Sequence, residues 1–115
     1  MQYMLLIHHE AENVKAAELP QMMQEYMAFT QDLVTSGKFK AGDRLESSAG
    51  TRTVRVRNGK TVTTDGPFAE TKEQLGGYYI VDAKDLDEAV AIAARIPGAR
   101  TGSVEVRAVT SMPAR

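Results

Sequence analysis

The sequence predicts an α+β domain with the order strand–helix–hairpin–strand–helix–strand. Three observations support this class: apolar runs of strand length, two stretches with helical spacing of apolar residues, and a tight-turn signature between two alternating segments. The order resembles a βαββαβ plan with a strand pair in its middle. At 115 residues the chain fits one domain, and we treat residues 1–115 as a single unit.

The first strand spans Tyr3 to His8 and is apolar on both alternations, which indicates cover on both faces. A helix begins around Leu19-Pro20, with the proline tolerated in the first turn, and Gly37 is placed to end it. The segment from Lys38 to Gly50 is predicted to be a loop. The stripe of the helix that faces the core is predicted to be Met23, Tyr26, Met27, Thr30, Leu33 and Val34.

A β-hairpin follows. Thr51–Arg57 alternates in hydrophobicity, Asn58-Gly59 favours a type I′ turn in which both residues have positive φ, and Lys60–Thr64 forms the second arm. We expect its apolar side chains to face inward, namely Val54, Val56 and Val62.

The last third of the chain predicts a strand, a helix and a strand. Tyr78 to Val81 is apolar on both faces, and Val104 to Ala108 alternates. Between them, Asp85 and Glu88 have the spacing of a capping box, and Pro97-Gly98 ends the helix. Its core stripe is predicted to be Leu86, Ala89, Val90, Ala93 and Ile96.

Two helices can cover only one face of such a sheet. The first and fourth strands nonetheless carry apolar residues toward the other face, which needs cover. A second copy of the chain is the least elaborate candidate, so we predict a homodimer. Cover by the loop from Lys38 to Gly50 is the alternative.

Composition excludes several classes of function. The net charge of −1 gives no long-range attraction to nucleic acid or anionic lipid. The absence of cysteine excludes disulfides, thiolate nucleophiles and cysteine-based metal sites. The apolar run at the start is too short for a signal peptide or a membrane span. We therefore expect a cytoplasmic protein that binds neither nucleic acid nor membrane.

The most distinctive stretch runs from Thr64 to Tyr78 and contains the sequence DGPF at 65–68. Together with the opening YMLLI, the VRVRNGK hairpin and the ending GSVEVR, it resembles the YciI-like family, in its DGPF-containing branch. The resemblance implies ferredoxin-like protomers with an antiparallel sheet and helices on one face, paired as a dimeric α/β barrel. It also implies a cleft bounded by the sheet, but no known reaction.

Asp65 and Phe68 have two interpretations. In the structural one, Gly66-Pro67 makes a turn after a strand, Asp65 accepts backbone N–H groups of that turn, and Phe68 fills the core. In the functional one, Asp65 lies beside the cleft as a general base or ligand anchor, and Phe68 contacts the ligand. A carboxylate in an apolar cleft would have a raised pKa, which suits proton abstraction.

His8 and His9 are the only histidines. Neighbours on a strand face opposite sides, so at most one of them faces a given cleft. His8 continues the face of Met4 and Leu6, and His9 continues the other face. Because the two side chains diverge, we expect no metal site. Either histidine is a candidate proton-transfer partner for Asp65, with a packing or surface role at the strand end as the alternative.

Tyr26 and Arg44 are candidate ligand-binding residues. Some YciI-like members resemble enzymes with a His–Asp dyad whose histidine lies on the first helix, and alignment on Gly37 puts Tyr26 at that position. A dyad in this chain would then take its histidine from His8 or His9. Arg44 can bind an anionic group through two parallel hydrogen bonds. A core role for Tyr26 and a solvated charge for Arg44 are the alternatives.

Two functions remain open. The first is a cofactor-independent enzyme that performs proton transfer or lyase chemistry on a small aromatic or quinone-like molecule, a substrate class implied by the resemblance. No phosphate-binding loop, dinucleotide fingerprint or nucleophile elbow is present, so we expect no cofactor. The second is a non-catalytic dimeric binding or regulatory module. Relatives that resemble products of genes beside extracytoplasmic-function sigma factors suggest a link to that signalling.

Overall fold

A computed structural model of the chain describes residues 1–10, 16–69 and 71–110. Its strands are β1 (Gln2–His9), β2 (Phe39–Arg44), β3 (Arg52–Arg57), β4 (Lys60–Asp65), β5 (Gln74–Asp82) and β6 (Ser103–Ala108). Its helices are α1 (Leu19–Thr35) and α2 (Leu86–Ala93), with short 3-10 turns at Ala16–Glu18, Ser48–Gly50 and Pro97–Arg100.

Four strands form an antiparallel sheet in the order β2-β5-β1-β6. Alternate residues of β1 and β5 pack against both helices on one face, as the α+β prediction with helices on one side requires. We call the opposite face of the sheet the open face. The core consists of Tyr3, Leu5, Ile7, Phe29, Leu33, Tyr79, Val81, Ala83, Ala89, Ile92, Ala93 and Ile96.

The prediction of a loop from Lys38 to Gly50 is wrong for its first half. Phe39–Arg44 is an edge strand that pairs with β5, with a register irregularity at Lys40. The sequence FKAGDR has neither an apolar run nor a clean alternation, because an edge strand pairs on one side only and its charged residues stay in water. Since this segment lies within the sheet, it does not cover the open face.

Helix α1 begins and ends as predicted. Pro20 is in its first turn, and Gly37 follows the C-cap with a φ of +75°. The predicted stripe is partly wrong, because the buried positions are Phe29 and Leu33, whereas Met27 is 69% exposed. The buried stripe is rotated around the helix axis relative to the predicted one. Phe29, which was not predicted to be buried, packs edge-to-face on the ring of Tyr79 in the sheet.

Helix α2 has the predicted N-cap. The carboxylate of Asp85 accepts the backbone N–H of Glu88 at 2.9 Å. Its buried stripe includes Ile92, whereas Leu86 and Val90 are exposed, contrary to the prediction. The helix has only eight residues, and besides Ile92 its buried positions are the alanines Ala89 and Ala93.

Strands β3 and β4 form a separate two-stranded hairpin, which we call the arm (Arg52–Asp65). Asn58 and Gly59 have φ of +53° and +74°, which confirms the type I′ turn. The arm makes the molecule more extended. The radius of gyration of the molecule is 16.2 Å, against about 13 Å for a compact domain of this length.

The predicted inward orientation of the arm valines is wrong. Val54 and Val56 are 59% and 60% exposed, and Val62 is exposed as well, because the arm does not join the main sheet. The two-residue turn also pairs Arg55 with Val62. Directly opposed residues share a face, so Val62 lies on the face opposite Val54 and Val56.

Candidate functional site

A cavity of about 490 Å³ lies between α1 and the sheet, a size suited to a small-molecule ligand. It is bounded by the first half of α1, the ends of β1 and β2, the start of β5 and the turn Pro97–Arg100. Its walls are mostly apolar. Of the six residues selected from the sequence, the structure brings three to this cavity: His9, Tyr26 and Arg44.

His9 reaches the cavity because of strand alternation. Tyr3, Leu5 and Ile7 are buried under the helices, and His9 continues that face beyond the core. Its Nδ1 lies 3.4 Å from the carbonyl oxygen of Glu10. With the ring proton on Nδ1, that nitrogen is oriented toward the carbonyl and Nε2 keeps a free lone pair. His9 can then act as a base.

His8 lies on the opposite side of the sheet. Its Nε2 is 3.6 Å from the carboxylate of Glu105, which sits across from Leu6 on β6. His8 therefore belongs to the open face and is not among the cavity-lining residues.

Tyr26 points its hydroxyl group at the turn after α2. The hydroxyl oxygen accepts the backbone N–H of Gly98 at 3.1 Å. Burial raises the pKa of Tyr26, against the lowering effects of that hydrogen bond and of Arg100 and Arg44. Tyr26 therefore stays protonated at neutral pH, and its O–H remains a donor.

Arg44 brings a positive charge to the cavity from the end of β2. Its Nη1 lies 3.8 Å from the sulfur of Met23. In the described part of the chain, the ion pairs join other residues, and none involves Arg44. A guanidinium without a carboxylate partner in an apolar cavity is suited to binding an anionic oxygen.

One wall of the cavity is aromatic, and the sequence did not indicate that these aromatic residues belong to the site. Tyr79 shares a 2.7 Å hydrogen bond with Thr30, and burial raises the pKa of Tyr79. The ring of Phe39 meets that of Tyr79 edge-to-face at 6.4 Å. Alternation along β5 would have put Tyr79 with buried Val81, but nothing in the sequence pairs it with Thr30.

Asp65 and Phe68 lie outside the cavity in the single chain. The Asp65 side chain is 89% exposed, with Oδ1 3.4 Å from Nη1 of Arg52. The turn that follows is closed by backbone, since the N–H of Gly66 donates to the carbonyl of Thr51 at 2.7 Å. Phe68 is 82% exposed, with the guanidinium of Arg55 5.7 Å from its ring centre, so the core-filling interpretation is wrong.

Within residues 1–10, 16–69 and 71–110, no three His, Cys, Asp or Glu side chains come together as a metal site would require. Neither α1 nor α2 combines the length and apolar character needed to cross a membrane. The cavity thus offers a base, a phenolic donor and a cation on mostly apolar walls, while the one carboxylate among its described residues, that of Asp43, accepts a hydrogen bond from Tyr78 at 2.7 Å. These groups can bind a small anion with an apolar body and move a proton.

The fold of the chain is similar to that of a solved enzyme. The 5-chloro-2-hydroxyhydroquinone dehydrochlorinase TftG from Burkholderia phenoliruptrix AC1100, in complex with 2,5-dihydroxybenzoquinone, matches with a TM-score of 0.57 and 13% sequence identity. The match covers 96% of this chain and 94% of that chain. At this identity the likeness concerns the fold.

Sequence comparison gives the family. An uncharacterised protein of Rhizobium meliloti (strain 1021) is 39% identical over 113 residues, which cover 93% of this chain and 90% of that protein. The family model of the YCII-related domain matches residues 1–113. Because that match spans nearly the whole sequence, the chain belongs to the YCII-related family.

Proposed function

We propose that this protein binds a small aromatic or quinone-like anion in the cavity and transfers a proton to or from it without a cofactor. The observation that carries the proposal is the convergence of His9, Tyr26 and Arg44 on one largely apolar cavity. The ligand class is supported by the fold neighbour, a dehydrochlorinase in complex with 2,5-dihydroxybenzoquinone.

Each residue has a distinct role in the proposal. The guanidinium of Arg44 binds a ligand oxyanion, and apolar walls strengthen that contact by excluding water. The Tyr26 oxygen already accepts a backbone N–H, so its own O–H is free to donate to a second ligand oxygen. The imidazole of His9 takes or returns the proton as a general base or acid.

The binding part is tested by calorimetric titration with 2,5-dihydroxybenzoquinone. We expect Arg44→Met to weaken binding about ten- to a hundredfold, since a hydrogen-bonded charge contributes about 1.5–3 kcal/mol. Arg57→Met is the matched control, because Arg57 lies on the arm and its guanidinium donates to its neighbour Val56. Equal affinity of the two variants for the quinone would show that Arg44 does not bind it.

The catalytic part is tested by chloride release from 5-chloro-2-hydroxyhydroquinone, the substrate in the name of the fold neighbour. We expect His9→Ala to lower turnover about 10²- to 10⁴-fold with little change in affinity. His8→Ala is the control, because the adjacent histidine faces the other side of the sheet. Asp65→Asn in the same assay tests whether that carboxylate, a catalytic candidate by sequence, takes part.

A non-catalytic binding module is the second candidate. It is favoured by one observation: the single chain brings His9 to the cavity but leaves Asp65 exposed on the arm, so the proposed dyad is not assembled. Binding of the quinone that depends on Arg44, without chloride release by the unaltered protein, would support this function over the enzyme.

We also infer that a second copy of the chain covers the open face. Met4, Leu6 and Ile80 point to this face and remain partly exposed. The molecule is only 19 Å across its thinnest direction, which leaves room for the sheet and one helix layer. The edge strand β2 gives no cover, and a symmetric partner is the least elaborate cover that this chain itself supplies.

The arm supports the same inference. A two-stranded hairpin is marginally stable by itself in water, and apolar exposure of this kind marks an interaction surface. One face of the arm carries four β-branched residues side by side, Val54, Val56, Thr61 and Thr63, with the ion pair of Arg52 and Asp65 at its base. From strand spacings, the open face and the arm together present roughly 600 Å² of surface per copy. This area is enough for a specific dimer.

A further inference from the structure

Glycines lie where the polar side chains of the cavity need room. A Cβ atom built on Gly76 would lie 2.5 Å from Cδ2 of His9 and closer still to Nε2. A Cβ atom on Gly98 would lie 2.6 Å from the hydroxyl oxygen of Tyr26. Real Cβ contacts essentially never fall below 3.0 Å, so in both places any other residue would displace the neighbouring side chain.

Gly76 occupies an irregularity between the two central strands. Ile7 pairs with Gly77, but His8 pairs with Leu75, so Gly76 is an extra residue on β5 without a partner on β1. Such bulges are common beside active sites, where they redirect a side chain. Here the side chain is that of His9, whose ring occupies the space above Gly76.

We propose that Gly76 is a positioning residue for His9: the bulge without a side chain lets the imidazole lie against β5 and face the cavity. A side chain at position 76 pushes the ring out of this place. What the ring does there rests on the proposed function. The positioning itself is a property of the free protein, so the two ideas can fail separately.

The first test follows the His9 ring in Gly76→Ala by NMR, without any ligand. We expect the ring-proton resonances of His9 to shift, while the ring-proton resonances of His8 stay in place. Gly50→Ala is the matched control, since a Cβ atom there meets nothing within 4 Å and its φ is not positive. Unchanged His9 resonances in a folded Gly76→Ala protein would overturn the proposal.

The second test is a double-variant cycle on the melting temperature. Gly76→Ala is expected to lower it in the unaltered protein, because the new methyl group collides with the imidazole. In a His9→Ala background the collision partner is gone, so the same change is expected to have little effect. Equal losses in both backgrounds would mean that the backbone alone needs glycine, which contradicts the proposal.

The cycle also covers the case in which Gly76→Ala does not fold. The double variant is then expected to fold like His9→Ala, and its failure to do so would count against the proposal. Where Gly76→Ala folds, its chloride release should fall at least tenfold toward that of His9→Ala, with affinity for 2,5-dihydroxybenzoquinone kept. A fall in affinity alone would assign Gly76 to the shape of the cavity instead.

Discussion

Tyr26 links α1 to the turn Pro97–Arg100 through one hydrogen bond. Removing the hydroxyl in Tyr26→Phe leaves the backbone N–H of Gly98 without this acceptor. We expect a loss of about 1–2 kcal/mol in the free energy of unfolding, measured by urea denaturation, because an unpaired N–H in a half-buried place loses its solvation as well.

The same variant has a pH signature. Burial raises the pKa of Tyr26 above 10.0, so the folded state favours the neutral phenol. That contribution is fully present below pH 10 and is lost as the pH rises through the folded value. The alkaline fall in stability should therefore be smaller in Tyr26→Phe. Tyr3→Phe is the control, since that hydroxyl contacts the sulfur of Met1 at 3.5 Å. Equal effects of the two variants would contradict the assignment.

Residue orientation on β1 could be predicted because it depends on the local chain. A period of two assigned His8 and His9 to opposite faces, and the structure places them so. The contacts of His9 with Gly76 and of Tyr26 with Gly98 join residues far apart in the sequence. No local pattern contains that information, and from the sequence Gly98 is predicted only to end the second helix.

At the scale of elements, the N-cap of α2 gives a direct test. Asp85→Ala removes the acceptor of the Glu88 backbone N–H, and we expect a loss of about 1 kcal/mol in thermal or urea unfolding. Asp87→Ala changes an acidic residue in the same first turn and should cost less, since no cap bond from it is present among the described residues. A larger loss for Asp87→Ala would contradict the cap.

The elements were predictable where the sequence carries a period or a turn signature. The Asn58-Gly59 turn and the Asp85 cap depend on a few adjacent residues, and both are confirmed. Strand β2 was missed because an edge strand has one neighbour and little apolar content. The faces of the arm were misassigned because alternation tells which residues share a face, but not whether that face meets a core.

The predicted homodimer can be tested by measuring the mass of the protein in solution. We expect light scattering to give twice the mass of one chain at micromolar concentration. Leu6→Lys places a charge on the open face and should shift the protein toward monomer. Leu86→Lys is the control, because Leu86 is already exposed on α2.

A monomeric mass for the unaltered protein, or equal effects of the two lysine substitutions, would contradict the proposal that a second copy covers the open face. The two-sided apolar strands β1 and β5 were the sequence signal for it. Apolar residues on both faces of these strands require cover on the second face. They do not indicate that the arm is separate from the main sheet, which only the structure shows.

The position of β1 has a consequence for how the chain folds. This first strand is central in the sheet, yet its partners β5 and β6 come from the last third of the chain. During synthesis, its apolar residues stay unpaired until β5 has left the ribosome, and its second edge pairs only after β6 has followed. Long-range pairings of this kind slow folding, so refolding should be slower than for a helical protein of equal length. Until the last strand docks, we expect one edge of β1 to stay unpaired, which favours aggregation of the nascent chain.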